Sequence, residues 1–279
     1  MNFEEAYEYA LEYGPSDETR KIICENSEYA YFYAKYIDKC SHEDTRNAAC
    51  RKLEYAYLYA RDIDKCPKKE TRNASCKDPE YAYLYAKNID QCPRKETRES
   101  ACKNSIYAYK YALEIDKCPR EDTRASIYDD PVWAYHYALE IDKCPRKDTR
   151  KAACKDPKYA YLYAFRIDGC PRKETREAVC KDFEYAYKYA KDIDKKPKEN
   201  TRKAACEDSR FAHYYALYVD KKPRDDTRKM ACKKSSLAYY YARNVDKELR
   251  EETWLAVKGT EYEEEYKKFF NNQMKEEII

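Results

Sequence analysis

A period of 26 residues runs through most of this chain of 279 residues and limits the folds open to it. The segment Tyr29-Ala-Tyr-Phe-Tyr-Ala34 has equivalents every 26 residues as far as Leu237, without insertions. A Thr-Arg pair keeps the same period from Thr45-Arg46 to Thr227-Arg228. Because so short a repeat cannot bury its apolar side chains alone, successive copies must stack on one another. The period therefore predicts an array of equal structural elements.

Each repeat carries the signals of two short helices. Asp78 is a typical N-cap, and Pro79 suits the first helical position that follows it. Six further repeats carry an equivalent cap: Asn26, Asn104, Asp130, Asp156, Asp182 and Asp208. Ala82, Tyr85 and Ala86 then share one helical face. Pro93 is expected to open a second helix, which gives an αα-hairpin with helices of about 11–13 residues.

The sequence predicts an all-α fold, an α-solenoid of about ten stacked αα-hairpins in a single domain. Residues 1–25 form a degenerate first repeat, residues 26–258 hold nine regular repeats, and residues 259–279 form a polar C-terminal cap. The last predicted helix runs from Glu261 to about Lys275. Its apolar stripe, which is expected to close the stack, consists of Tyr262, Tyr266, Phe269 and Phe270.

Tyrosine takes the place that aliphatic residues hold in most cores. The chain has 33 tyrosines, and its 56 basic and 53 acidic residues nearly cancel to a net charge of +3. Low aliphatic content indicates disorder only together with a high net charge, so a folded chain is expected. Neither a secretion signal nor a membrane-spanning run is evident, which favours a cytoplasmic protein, or one in the host-cell cytoplasm if it is viral.

The fourteen cysteines form two periodic series. The turn series comprises Cys40, Cys66, Cys92, Cys118, Cys144 and Cys170. The helix-end series comprises Cys24, Cys50, Cys76, Cys102, Cys154, Cys180, Cys206 and Cys232. Cysteines at opposite ends of a helix, or one hairpin apart, are too distant for a disulfide. We expect small, buried, free thiols in a reducing compartment.

No constellation of catalytic or metal-binding residues is evident. The chain has neither a phosphate-binding glycine loop nor a Cys-x-x-Cys motif, and it contains only three histidines. His136 and His213 are interpreted as substitutions that face solvent. We therefore expect a non-enzymatic protein without a cofactor or a metal.

A recurring aspartate at the end of each first helix requires a compensating charge, because an acid is unfavourable at a helix C-terminus. The arginine of the Thr-Arg pair is the candidate, so that Asp64 pairs with Arg72 or with the arginine of a neighbouring repeat. This structural charge ladder includes Asp64, Arg72, Asp90, Arg98, Asp116, Arg124, Asp142 and Arg150. The alternative is an exposed arginine ladder that binds phosphates.

Differences among the repeats are most informative on the face of the first helix that points away from the predicted core. The row of tyrosines from Tyr31 to Tyr239 is expected there, together with two variable rows. The candidate partner-binding residues in these rows are Phe32, Leu58, Leu84, Leu113, Leu139, Leu162, Phe165, Tyr214, Leu217 and Tyr240. Either these residues pack between repeats at a curved surface or they form an interface with a partner.

The segment from Asp78 to Ala86, repeated at this length, resembles the Tyr/Ala-rich helical repeats of bacteriophage and large DNA virus proteins. The resemblance covers roughly residues 26 to 256. More broadly the chain is similar to tetratricopeptide and Sel1-like α-solenoids, although those have longer units. The viral resemblance implies an accessory protein that binds a host or defence component.

The leading functional hypothesis is a binding solenoid that captures a protein partner. A first alternative is nucleic-acid binding through arginines near the hairpin turns, namely Arg94, Arg120, Arg146, Arg172 and Arg224. Acidic neighbours such as Glu96 and Asp148 count against it. A further alternative is sequestration of a nucleotide-like small molecule between tyrosines and arginines.

Overall fold

The computed structural model of the chain describes residues 1–276, with side chains as far as residue 271. Its described part contains helices and no strands, so the predicted all-α, solenoid-type class is confirmed. The helices are α1 (Phe3–Tyr13), α2 (Asp17–Ile23), α3 (Ser27–Phe32), α4 (Glu43–Ala49), α5 (Leu53–Tyr59), α6 (Lys69–Ser75), α7 (Pro79–Tyr85), α8 (Lys95–Ala101), α9 (Ser105–Tyr111), α10 (Glu121–Ala125), α11 (Pro131–Tyr137), α12 (Lys147–Ala153), α13 (Pro157–Tyr163), α14 (Lys173–Val179), α15 (Phe183–Tyr189), α16 (Glu199–Ala205), α17 (Ser209–Tyr215), α18 (Asp225–Ala231), α19 (Ser235–Tyr241), α20 (Glu251–Val257) and α21 (Glu263–Glu276).

In seven of the nine regular repeats the first helix begins at the cap that the sequence predicts. Asp78 Oδ1 accepts hydrogen bonds from the backbone N–H groups of Glu80 and Tyr81, at 2.8 and 3.2 Å. The six other predicted caps accept equivalent bonds. Lys52 and Lys234 stand at this position in the two remaining repeats and provide no side-chain cap.

Each first helix ends in a π-helical turn, which the sequence analysis did not anticipate. In such a turn the hydrogen bond spans five residues, as between the Lys65 N–H and the Ala60 carbonyl at 2.9 Å. The following residue is left-handed, with φ of 50° at Lys65 and 62° at Gly169. The π-helical turns are Tyr33–Asp38, Ala60–Asp64, Ala86–Asp90, Ala112–Asp116, Ala138–Asp142, Ala164–Asp168, Ala190–Asp194, Ala216–Asp220 and Ala242–Asp246.

The second helices are shorter than predicted. Helix α8 has seven residues and starts at Lys95, so Pro93 precedes the N-cap residue Arg94 instead of opening the helix. The expectation of about 11–13 residues is therefore wrong for this helix. The helix ends at Cys102, whose N–H bonds the Arg98 carbonyl, because the chain must turn there to enter the next repeat.

A buried tyrosine hydroxyl closes the N-terminus of each second helix. Lys68, the N-cap residue of α6, makes no capping hydrogen bond with its side chain. Its backbone N–H donates to the Tyr85 hydroxyl oxygen at 3.0 Å. That hydroxyl also lies 2.9 Å from Thr71 Oγ1 and 3.1 Å from the Lys68 carbonyl oxygen. We call this arrangement the tyrosine lock. Because the tyrosine belongs to the following repeat, the lock ties successive repeats together.

The tyrosine lock recurs along the chain with little variation in distance. Its threonine and tyrosine oxygens lie 2.7 to 2.9 Å apart. The pairs are Thr19–Tyr33, Thr45–Tyr59, Thr71–Tyr85, Thr97–Tyr111, Thr123–Tyr137, Thr149–Tyr163, Thr175–Tyr189, Thr201–Tyr215, Thr227–Tyr241 and Thr253–Tyr266.

The rings of the lock tyrosines fill grooves lined by small residues of the preceding repeat. Tyr189 is fully buried and packs in one cluster with Ala160, Ala164 and Val179. The paired alanines of the repeat motif therefore leave the space that the next tyrosine occupies. Contacts divide the chain into two compact halves, Met1–Asp142 and Lys143–Ile279, which we call the N-terminal and C-terminal halves.

Helix α21 closes the last regular repeat. Tyr266 is fully buried and Phe270 is 2% exposed, and both pack against Ala238, Ala242 and Val257. The predicted apolar stripe is thus confirmed at Tyr266 and Phe270 but wrong at Phe269, which is 47% exposed. Lys275, at the end of the predicted helix, lies within α21, but its side chain is outside the described side chains. None of the described helices combines the length and the apolar character needed to cross a lipid bilayer.

Candidate protein interface

The outward face of the first helices carries the candidate partner-binding residues, and half of them are exposed. The exposed five, at 36 to 47% of their surface, are Leu113, Leu139, Phe165, Tyr214 and Tyr240. The other five are partly buried: Phe32, Leu58, Leu84, Leu162 and Leu217. Phe32, Leu58, Leu84 and Leu217 pack against buried clusters of neighbouring repeats. Packing between repeats therefore accounts for four of the ten candidates, while the five exposed residues stay candidates for a partner interface.

The row of tyrosines from Tyr31 to Tyr239 does not point to solvent, as the sequence analysis expected. Tyr31, Tyr83 and Tyr109 are 3 to 8% exposed. Their rings pack toward the following repeat, as Tyr31 does toward Tyr55 at 5.9 Å between centroids. Because the helices are close enough for these rings to bridge them, this row belongs to the packing between repeats. Their phenol oxygens reach carboxylates of the following repeat.

Those phenol groups donate to carboxylates of the next repeat. The Tyr83 hydroxyl donates to Glu114 at 2.7 Å, and the Tyr161 hydroxyl donates to Asp192 at 2.8 Å. Equivalent bonds join Tyr31 to Asp62 and Tyr109 to Glu140. Burial is the main cause of the raised pKa of Tyr109, and the hydrogen bond to Glu140 is the second cause. These phenols therefore stay protonated as donors at neutral pH.

In the N-terminal half, the same carboxylates also pair with the bases of the variable rows. Lys35 Nζ lies 2.8 Å from Asp62, and Lys87 Nζ lies 2.7 Å from Glu114. The hydrogen bond from Arg61, with support from Lys35, holds the pKa of the Asp62 carboxyl well below its usual range. Charges on this half of the face are therefore largely matched within the protein.

Equivalent bases in the C-terminal half also lie over aromatic rings, as Lys87 does over Tyr83 at 5.5 Å, but they form no ion pair with a described acid. Lys191 Nζ is 5.8 Å from the Tyr187 ring centroid and 5.5 Å from that of Tyr218. The Arg243 guanidinium is 5.6 Å from the Phe269 centroid. These are cation–π distances, at which the base gains attraction from the ring without being neutralised.

Two exposed tyrosines of this face escaped the sequence analysis. Tyr36 is 51% exposed and Tyr218 is 50% exposed, each four residues after a candidate in the variable rows. Phe32 and Tyr36 stack at 6.1 Å, and Tyr214 and Tyr218 lie 6.2 Å apart. Residues four apart on a helix lie on the same face, so their spacing from Phe32 and Tyr214 could have predicted their position. We define the aromatic stripe as Phe165, Tyr214, Tyr218 and Tyr240 of the C-terminal half.

The structural charge ladder joins each arginine to the aspartate of the following repeat. Arg72 Nη2 lies 2.5 Å from Asp90 Oδ1, and that carboxylate has no exposed surface. Asp64 pairs with Arg46 and not with Arg72. Of the two partners that the sequence left open, the structure therefore has the arginine of the neighbouring repeat. The same step links Arg98–Asp116, Arg124–Asp142 and Arg150–Asp168, at 2.6 to 2.7 Å. The hydrogen bonds that Arg72 donates to Asp90 raise the pKa of Arg72, which stays charged and internally paired.

The arginines of the nucleic-acid alternative occupy the N-cap positions of the second helices. Arg94, Arg120, Arg146 and Arg172 are exposed, and Arg224 is partly buried. Arg120 lies 3.7 Å from Asp122, Arg146 lies 3.8 Å from Asp148, and Arg224 lies 3.3 Å from Asp220. An acid beside each of these three arginines weakens the positive potential that a phosphate backbone requires.

The two histidines differ in burial. His136 is partly exposed, and its Nδ1 lies 3.0 Å from Glu140 Oε1. His213 is 5% exposed and replaces a buried member of the tyrosine row, so its interpretation as a solvent-facing residue is wrong. Burial lowers the pKa of His213, and its Nδ1 has no hydrogen-bond partner. Its uncharged imidazole fills the space of the usual phenol ring.

All fourteen cysteines are free thiols, but the predicted burial is wrong for four of the six cysteines of the turn series, since only Cys92 and Cys170 of that series are partly buried. Cys40, Cys66, Cys118 and Cys144 are exposed because the turn holds them outside both helices. The helix-end cysteines are partly buried. Burial raises the pKa of Cys154 to about 11.

Comparison with known proteins adds no relative. No family model matches the chain, and neither a curated protein nor a solved structure shows significant similarity to it. What is established is the helical repeat of about 26 residues with its recurring Thr–Tyr hydrogen bonds.

Proposed function

We propose that this protein is a non-enzymatic binding solenoid that captures a protein partner on the outward face of its first helices. The observation that carries the proposal is the aromatic stripe, whose four side chains are 39 to 50% exposed. Aromatic side chains are enriched in protein interfaces and provide most of the binding energy there.

The scaffold beneath the stripe supports this function. The lock tyrosines and the buried arginine–aspartate pairs fill the spaces between repeats, so the stripe is not required to complete the core. Equivalent residues of successive repeats lie side by side in a repeat protein. A partner segment therefore meets a continuous row, in which Lys191 stands between the positions of Phe165 and Leu217.

The viral resemblance of the Tyr/Ala-rich motif extends the proposal. On that basis the partner belongs to a host cell or its defences, and the protein is a viral accessory factor that acts in the host-cell cytoplasm. This extension depends on the motif between Asp78 and Ala86 and its copies.

Affinity capture with the full chain as bait tests the proposal. The stripe variant carries Phe165→Ser, Tyr214→Ser, Tyr218→Ser and Tyr240→Ser. A matched control carries Ile106→Ser and Leu255→Ser, which are 38% and 60% exposed but lie outside the stripe. We expect the wild type and the control to retain the same partner, and the stripe variant to lose it.

The four serine substitutions lie at exposed positions, so the melting temperature should change little. Retention of the partner by the stripe variant would disprove this binding surface. Failure of the wild type to capture any protein would disprove the proposed function itself.

A further inference from the structure

The exposed bases beside the aromatic stripe have no acidic partner among the side chains that the structure describes. Arg166, Lys191 and Arg243 are exposed, and none forms an ion pair with a described side chain. Each lies instead over a ring, Arg166 at 5.8 Å from the Phe165 centroid. Their positive charges are therefore available to a ligand.

Acids are missing from the two variable rows of the C-terminal half. These rows consist of Leu162, Phe165, Lys188, Lys191, Tyr214, Leu217, Tyr240 and Arg243. Two acids of the neighbouring positions already have partners, since Asp192 accepts from Tyr161 at 2.8 Å and Glu184 pairs with Lys188 of these rows at 2.5 Å. The surface thus combines apolar rings with unmatched positive charge.

We propose that the aromatic stripe binds an acidic amphipathic segment of the partner protein. This inference rests on the proposed function and specifies the chemistry of the partner. Carboxylates of the segment pair with Lys191 and Arg243, while its apolar side chains pack on Phe165 and Tyr218. Complementary charge also speeds the encounter of the two surfaces and excludes basic segments.

The ring geometry favours a protein segment over a nucleic acid. Bases bind proteins by stacking on exposed aromatic faces. The Phe165 ring is already stacked on Tyr161, at 5.8 Å and an angle of 12°, and Lys191 covers the Tyr218 ring. A neighbouring side chain therefore already lies over each of these two rings, which leaves less aromatic surface for a base to stack on.

Fluorescence anisotropy on the full chain tests the charge preference. The probes are a labelled peptide of glutamate, leucine and phenylalanine, the same peptide with lysine for glutamate, and a labelled single-stranded oligonucleotide. We expect binding of the acidic peptide alone, weakened by added salt. Lys191→Glu with Arg243→Glu should weaken that binding about tenfold. The control pair Lys181→Glu with Lys229→Glu, exposed bases outside the variable rows, should leave it unchanged.

Carbodiimide coupling, which joins an amine to a carboxylate in contact with it, tests the same inference on the captured partner. We expect Lys191 to be coupled to an aspartate or glutamate of that partner. Equal or tighter binding of the lysine peptide or the oligonucleotide, or failure of the acidic peptide to bind, would overturn the inference. Capture of a partner that depends on the stripe but yields no coupling at Lys191 would also overturn it, while the proposed function would stand.

Discussion

The two halves of the protein share one scaffold but differ in the charges on their outward faces. In the N-terminal half, Lys87 pairs with Glu114, whereas Lys191 of the C-terminal half lies over Tyr187 and Tyr218. The tyrosine lock differs little between them, at 2.9 Å for Thr71–Tyr85 and 2.8 Å for Thr175–Tyr189. Stability and recognition are thus assigned to different residues of the same repeat.

The largest expected effect tests whether the scaffold is the same in both halves. Arg72→Met and Arg176→Met each leave a fully buried aspartate, Asp90 or Asp194, without its partner. An unpaired buried charge costs about 3–5 kcal/mol, so both variants should lose that free energy of unfolding. Chemical denaturation followed by circular dichroism measures the loss.

A double replacement provides the control for the arginine variants. Adding Asp90→Leu to Arg72→Met removes the unpaired charge and should restore most of the stability, because an apolar pair of similar volume can replace a buried ion pair. Clearly unequal losses for Arg72→Met and Arg176→Met would show that the two halves do not share one scaffold.

The hydroxyl of the tyrosine lock gives the next largest effect. Tyr85→Phe and Tyr189→Phe leave a helix N-terminus without its acceptor, which should lower the free energy of unfolding by about 1–3 kcal/mol each. The same substitution at the exposed Tyr36 and Tyr218 serves as control and should change stability by less than about 0.5 kcal/mol. Equal effects at locked and exposed tyrosines would contradict the role of the lock.

Removal of a face acid should have a smaller effect. Asp62→Asn breaks the ion pairs with Lys35 and Arg61 and should cost at most about 1 kcal/mol at neutral pH. The pKa of Asp62 is depressed in the folded state, above all by Arg61, so its contribution is present above the unfolded pKa of about 4 and is lost as the pH falls below that value.

Melting temperatures at acidic and neutral pH measure this contribution. The wild type should lose more stability than Asp62→Asn between neutral pH and about pH 3. Asp192→Asn in the C-terminal half removes a charge that pairs with no described base and leaves an amide oxygen that can still accept from Tyr161, so this comparison should have less effect at neutral pH. An identical pH response of wild type and Asp62→Asn would contradict the pairing.

Thiol labelling probes the halves without changing their stability. Cys118 and Cys144 are exposed equivalents in the two halves and should react with iodoacetamide at similar rates in the native protein. Cys154, partly buried and with its pKa raised to about 11, should react much more slowly. Peptide mapping by mass spectrometry measures the extent of labelling at each cysteine. Slow reaction of Cys144 with iodoacetamide, while Cys118 reacts fast, would show that the turn differs in the C-terminal half.

The sequence predicted what depends on local chemistry and spacing. Asp78 caps its helix because its short carboxylate, directly before Pro79, reaches the free backbone N–H groups of the first helical turn. The fixed period places Arg72 within reach of an aspartate of the neighbouring repeat. Geometry that depends on helix contacts was not predictable. The π-helical turn at Ala60–Asp64 has no sequence signal of its own.

The same limit explains the errors on the candidate interface. Tyr83 lies on the outward side of its own helix, yet the next repeat comes close enough to bury its ring. His213 is buried for the same reason. Burial by a neighbouring repeat depends on the distance and angle between hairpins, which the periodicity of a single helix does not contain.

The most direct test of the account compares binding by face variants of the two halves. The measurement is the affinity for the captured partner, with the melting temperature recorded in parallel, for Phe165→Ser with Tyr218→Ser and for Leu113→Ser with Leu139→Ser. We predict about tenfold weaker binding for the first pair and a change of less than about twofold for the second, with little change in melting temperature for either. Equal losses for the two pairs, or a loss only where the melting temperature also falls, would contradict the claim that recognition resides in the aromatic stripe.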